Sequence, residues 1–214
     1  MPSAELVAGA HARGIRITGT VTTVAEAVAM DAAGVDAIVA SGAEAAGHRV
    51  SFLAPAEESL IGTFALVPQV VDAVSAPVIA AGGIADRRGV AAAFALGAAG
   101  VQVGTAFLRT RQSAASDAHR AAIAAAADTT TVLTRAMSGR LARGIPNQAV
   151  RTIEQNGAIA PFPAQNWLTG QFRAEAGRRG LGAFASLWAG QSAALATRTE
   201  ADEVFAELAR GLPA

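Results

Sequence analysis

Two features of this chain have residue types and spacing suited to chemistry. The first lies in PVIAAGGIADRRGVAAAFALGAAGVQVGTAF (Pro77 to Phe107), where two apolar segments each run into glycine, at Gly82-Gly83 and at Gly104, the latter followed by the hydroxyl of Thr105. Backbone without a Cβ lets a ligand approach closely, and N–H groups at the start of a helix suit an anion such as phosphate. The plainer alternative is that glycine simply ends a strand. Two such ends at consecutive turns, one with a hydroxyl, point to phosphate. The second feature is His48, in a long loop that follows an apolar segment. Imidazole titrates near 6.5, which suits it to accept a proton from an acidified carbon–hydrogen bond. A histidine with no functional role is the competing reading.

The elements that must hold these residues follow from pattern. Pro77–Ala81 is a short, continuously apolar run, as in a parallel strand buried on both faces. Asp86 stands at an N-cap, and Val90, Ala93, Phe94 and Gly97 repeat at i, i+3, i+4 and i+7, a helix with one face for a sheet. Val101–Val103 forms the next strand. Upstream, residues 1–13 predict a helix closed by Gly14, Ile15–Thr20 a strand, and Thr23 with Glu26 a capping box opening a helix to about Ala33. Val35–Ala40 is a further strand. Ser41–Gly62 is a connection long enough to be functional or disordered. Pro68 is placed in the first turn of a helix with Val67, Val70, Val71 and Val74 as its buried stripe. Downstream come a helix over 114–127, an extended 129–134, an arginine-rich loop at 138–147, helix from Ala174 broken at Gly180 and Gly182, and a last helix near Asp202–Arg210.

Four parallel-type strands alternating with helices predict an α/β fold. A closed (β/α) barrel needs eight strands and about 250 residues, with its catalytic loops at the carboxyl ends of the strands. The 214 residues supply the later part of such a barrel. The expected organisation is one partial domain over 1–214, with a βα core at 1–128 and a loop and helical extension at 129–214. Unpaired edge strands would favour self-association.

Composition narrows the class. The chain is 52% hydrophobic with zero formal net charge, so no basic stripe offers itself to nucleic acid. No run approaches a membrane span, and no secretory leader is recognisable at the N-terminus, so a cytoplasmic protein is expected. With no cysteine there is neither disulfide nor thiolate chemistry, and all seventeen basic residues are arginine.

The stretches GTVTTVAEAVAMDAAGVDAIVASGAEAAGH, LVPQVVDAVSAPVIAAGGIADRRGVAAAFALGAAGVQVGTAFL, SGRLARGIPN and LWAGQ closely resemble the nitronate monooxygenases, formerly called 2-nitropropane dioxygenases. The resemblance runs from about residue 2 to residue 191, and implies an FMN-dependent enzyme of the (β/α)₈ TIM-barrel type. It implies that Gly82, Gly83, Gly104 and Thr105 hold the FMN phosphate, with Gln102 and Val103 in the same stretch. It also implies that His48 removes the substrate α-proton or orients the nitronate. Ser41 stands where the family carries a glutamine near the flavin, and Ala46 and Val50 stand where it carries glycines. Met1-Pro2-Ser3 aligns in the middle of a family sequence, so a member lacking its N-terminal strands is expected.

The implied reaction oxidises an alkyl nitronate or nitroalkane with O₂ to a carbonyl compound and nitrite. The alternatives are a catalytically incompetent barrel fragment and a flavin-dependent enoyl reductase. Among the remaining polar residues, His11 and His119 are expected on helix surfaces. Glu44 is left between orienting His48, or a neighbouring arginine, and lying solvated in its loop. Arg49, Arg140 and Arg143 are expected mainly at the surface, and Trp188 is expected to pack.

Overall fold

The computed structural model describes residues 1–213. In chain order the strands are β1 (Thr18–Val21), β2 (Ala37–Ser41), β3 (Gly47–His48), β4 (Val78–Ala81), β5 (Gly100–Gln102), β6 (Val132–Thr134) and β7 (Ala142–Gly144). The α-helices are α1 (Ala4–His11), α2 (Val24–Ala32), α3 (Thr63–Ala73), α4 (Arg87–Ala95), α5 (Thr105–Leu108), α6 (Asp117–Ala124), α7 (Gln148–Asn156), α8 (Ala164–Arg178) and α9 (Ala201–Ala209). They fall into two compact units.

The first unit comprises residues 1–44, 50–103 and 208 onward. Its sheet is parallel throughout, in the order β1-β2-β4-β5, with Ile38 paired to Val78 and Ala81 to Gln102. This is the strand and helix alternation of part of a (β/α) barrel, as the sequence predicts. The buried faces are filled by Val21, Ile38, Val39, Ala40, Val78 and Ala80, covered by Ala27 and Met30 of α2, Leu66, Val67 and Val70 of α3, and Val90 and Ala93 of α4. Two predicted boundaries move for identifiable reasons. β1 starts at Thr18 and not Ile15, because the Ile17 N–H donates to the Asp36 carboxylate (2.7 Å) and Ile15 is exposed. Pro68 lies inside α3 and not in its first turn. The helix begins five residues before it because Glu44 caps the Thr63 N–H from a distant loop (3.0 and 2.9 Å).

The second unit comprises residues 45–49 and 104–207. A small antiparallel sheet, β3-β7-β6, pairs His48 with Ala142 and Leu133 with Arg143. The loop expected at 138–147 thus contains a strand and ends on Asn147, whose Oδ1 caps α7 at the Val150 N–H (3.1 Å). α8 begins at Ala164, ten residues before the predicted start. The Ser41–Gly62 connection is ordered, holding β3 and a 3₁₀ turn at Ala56–Ser59.

Candidate active site

In the first unit the glycine turn follows β4. Gly82 and Gly83 take φ of +98° and +74°, a consecutive left-handed pair that a residue with a Cβ adopts only with strain. Register pairs Ala81 with Gln102, so Gly82-Gly83 and Val103 both sit just beyond the carboxyl ends of adjacent parallel strands. Gln102 is exposed, and Ser41 ends β2 opposite Ala81. A backbone turn free of Cβ atoms at strand tips is the kind of cradle that fits a phosphate. Glu44, left open between orienting His48 or an arginine and lying solvated, is half-buried and engaged within its own unit. Its carboxylate accepts from the Thr63 N–H and lies 2.9 Å from Thr63 Oγ1.

In the second unit His48 sits on β3. Its Nε2 is 2.7 Å from Ser138 Oγ, and Ser138 is 2% exposed. The serine oxygen lies 3.2 Å from the Arg140 carbonyl, to which it can donate, and it accepts from the Arg140 N–H at 3.3 Å. An arrangement that satisfies every atom has His48 Nε2–H donating to Ser138 and the serine proton donating to Arg140, which leaves the Nδ1 lone pair as the base. The imidazole meets Phe162 edge-on at 6.0 Å and Trp188 at 5.9 Å. Both aromatics reach it because glycine lets backbone close in. A Cβ on Gly139 would lie 2.4 Å from the Ala160 carbonyl oxygen, and one on Gly144 would lie 2.9 Å from the Leu187 carbonyl oxygen.

His48 is exposed as a residue, and partial burial of its ring is the largest cause holding its pKa below the usual 6.5, followed by repulsion from Arg140 and Arg173. The Arg173 guanidinium donates only to neutral oxygens, on Thr169, Ser186 and Asn166. The site therefore disfavours the protonated ring, beside positive charge on Arg173 that these bonds leave uncompensated.

Other predicted residues fall as follows. Thr105 opens α5, is buried, and accepts from the Gly190 N–H at 2.9 Å; Gly104 precedes it with open space where a Cβ would stand. Ala46 is half-buried, and no residue other than glycine has positive φ among the described residues, so alanine is tolerated there. Arg49 and Arg143 are 4% and 7% exposed, which overturns their surface assignment. They are held in place, the Arg49 N–H by the Leu141 carbonyl and the Arg143 guanidinium by Thr131. His119 is half-buried and not a surface residue: its Nε2 lies 2.9 Å from the Trp188 carbonyl, a pure acceptor, so that nitrogen carries the proton. His11 is exposed and pairs with Asp36 at 2.9 Å. Ser138, Phe162 and Arg173 were not singled out from the sequence; only the SGR of SGRLARGIPN carried a signal for the first.

Among the described residues no helix is long and apolar enough to cross a membrane, and no group of three or more metal-type side chains converges. The family model for nitronate monooxygenase matches residues 1–211. A probable nitronate monooxygenase of Staphylococcus aureus (strain Newman) is 47% identical over 210 residues, 97% of this chain and 59% of the relative. The chain thus spans less than two thirds of that relative's length. A nitroalkane oxidase from Streptomyces ansochromogenes superposes with a TM-score of 0.90 at 38% identity, over 98% of this chain and 62% of that one. FabK from Thermotoga maritima follows at 0.82 and 31%, over 97% and 64%. The serine-anchored histidine and the glycine turn thus lie on a scaffold shared with these proteins over nearly the whole chain, and the chain belongs to the nitronate monooxygenase family.

Proposed function

We propose that this chain carries the flavin-phosphate turn and the catalytic base of an oxidoreductase acting on alkyl nitronates or nitroalkanes, with a carbonyl compound and nitrite as products. The observation that carries the reading is His48: fixed through Nε2 on the buried Ser138 hydroxyl, with its pKa held below the usual 6.5 by partial burial and by the charges of Arg140 and Arg173. A neutral imidazole can take the α-proton of a nitroalkane at Nδ1, and the neighbouring guanidinium charges favour the nitronate anion that results. FMN is the proposed cofactor, held at its phosphate by Gly82 and Gly83 with Gln102 and Val103 beside them; when bound it supplies the electron acceptor that O₂ reoxidises. Ser41 offers a hydroxyl in place of a longer amide. The enoyl reductase alternative is disfavoured, because the family model and the relative most similar in sequence among those above both carry the nitronate monooxygenase name.

Purified protein supplied with FMN is expected to hold the flavin, seen in its visible absorbance, and to release nitrite from a nitronate. His48→Ala is expected to slow nitrite release from the neutral nitroalkane by about 10²- to 10⁴-fold, the usual worth of a positioned base. Undiminished release by that variant removes His48 from the mechanism.

A further inference from the structure

We infer that Glu44, acting through Thr63, is the positioning residue that sets the shape of the Gly82-Gly83 turn and with it the affinity for the phosphate of the cofactor. The inference rests on the flavin reading above. Glu44 reaches the turn in two ways. Its carboxylate grips Thr63, accepting the backbone N–H at 3.0 and 2.9 Å and lying 2.9 Å from Oγ1. That hydroxyl is also 3.0 Å from the Gly82 carbonyl oxygen, and its single proton faces both acceptors as a three-centre donor, which links Thr63 to the turn while the carboxylate holds the Thr63 N–H. The methylenes of Glu44 also fill the space a side chain at the next residue would enter: a Cβ at Gly83 would lie 3.6 Å from Glu44 Cβ and 3.7 Å from Cγ.

The location of the carboxylate needs explaining, because a negative charge beside an anion site opposes binding. Here the charge is spent on the first N–H of α3 and on a hydroxyl, in a geometry typical of a charge-assisted cap. What it gains is rigidity. Two consecutive left-handed glycines are the most permissive backbone a chain offers, and without an outside tie they would lose more entropy on closing around a ligand. Thr63 supplies that tie at Gly82, and Glu44 fixes Thr63.

The test compares FMN with riboflavin, which lacks the phosphate, by titrating the full chain and following flavin fluorescence. The wild type is expected to prefer FMN. Glu44→Ala and Thr63→Val are each expected to weaken FMN about tenfold, one hydrogen bond's worth, and to leave riboflavin unchanged. Glu44→Gln is expected to restore the preference, since its amide oxygen can accept from the Thr63 N–H while its NH₂ donates to Oγ1. Thr63→Val preserves side-chain shape, so it carries the test should Glu44→Ala fail to fold. An equal loss for both flavins, or no loss for either, overturns the positioning role. Tighter FMN binding in both Glu44→Ala and Glu44→Gln overturns it too, by showing that charge and not geometry is what Glu44 contributes. A wild type that does not prefer FMN over riboflavin instead overturns the phosphate reading of the turn.

Discussion

The chemistry of His48 is set by which neighbour takes which proton. Ser138 has one proton and two acceptor sites, and the Arg140 backbone claims one of each, so the serine can only accept from Nε2 in the arrangement that satisfies every group. Ser138→Ala frees the imidazole to take the other tautomer, and kcat/KM for a nitroalkane is expected to fall roughly tenfold, about 1.4 kcal/mol. Binding of a preformed nitronate, which has no α-proton to lose, is expected to change little. Arg173 acts by charge. A cation near the imidazole disfavours the imidazolium, so its removal raises the His48 pKa. Because the base must be unprotonated, Arg173→Gln is expected to move the acid limb of the kcat/KM pH profile to higher pH. A limb that stays put or moves lower would show that this charge does not reach His48.

At the scale of elements, the N-cap signals hold, while boundaries and burial set by distant partners leave no local trace. Thr23 and Asp86 cap their helices as their spacing predicts, accepting from Glu26 N–H and from Arg88 and Gly89 N–H. Glu26 then departs from the capping-box reading. It is fully buried, and its two oxygens accept from Thr22 N–H and Oγ1, both at 2.7 Å, and from Phe52 and Leu53 N–H, at 2.5 and 3.2 Å. Nothing in residues 23–26 announces partners at 52 and 53. The same holds for Glu44 with Thr63, and for the burial of Arg49 and Arg143, whose partners are fixed by the pairing of β7 with β3 and with β6 and not by neighbours in sequence. The N–H donors outweigh the cost of burying the Glu26 carboxylate and hold its pKa below the usual 4.5. Glu26→Gln leaves one side of this clamp facing an amide NH₂, so urea unfolding is expected to show a loss of about 1.5–3 kcal/mol, with faster proteolysis near Phe52-Leu53.

For the whole molecule, the titrating groups shift in one direction with respect to acid. Asp36 is held far below the ordinary carboxylate range by Arg16, the Ile17 N–H and His11; Asp86 is lowered by Arg88, Glu200 by Arg111, and Glu26 by its four donors. A carboxyl whose folded pKa is depressed stabilises above its unfolded value and loses that contribution as pH falls towards the folded one. His48 and His119 are also lowered, chiefly by burial. For them the fold favours the neutral ring, so their contribution is complete above 6.5 and is lost as pH drops through and below it. The melting temperature is therefore expected to be level from about pH 7 to 8, to decline gently below 6.5, and to fall more steeply below about 4.5, where the carboxyls begin to protonate. The gentle step belongs to imidazoles. His119 is the more constrained of the two, because its Nε2–H is committed to the Trp188 carbonyl and its ring is half-buried. His119→Gln can keep a donor for that carbonyl while removing the titration. It is expected to flatten the decline between pH 6.5 and 5 and to leave the steep acid fall unchanged. A decline in that interval as large in His119→Gln as in the wild type would assign the step to other groups, with His48 the next to replace.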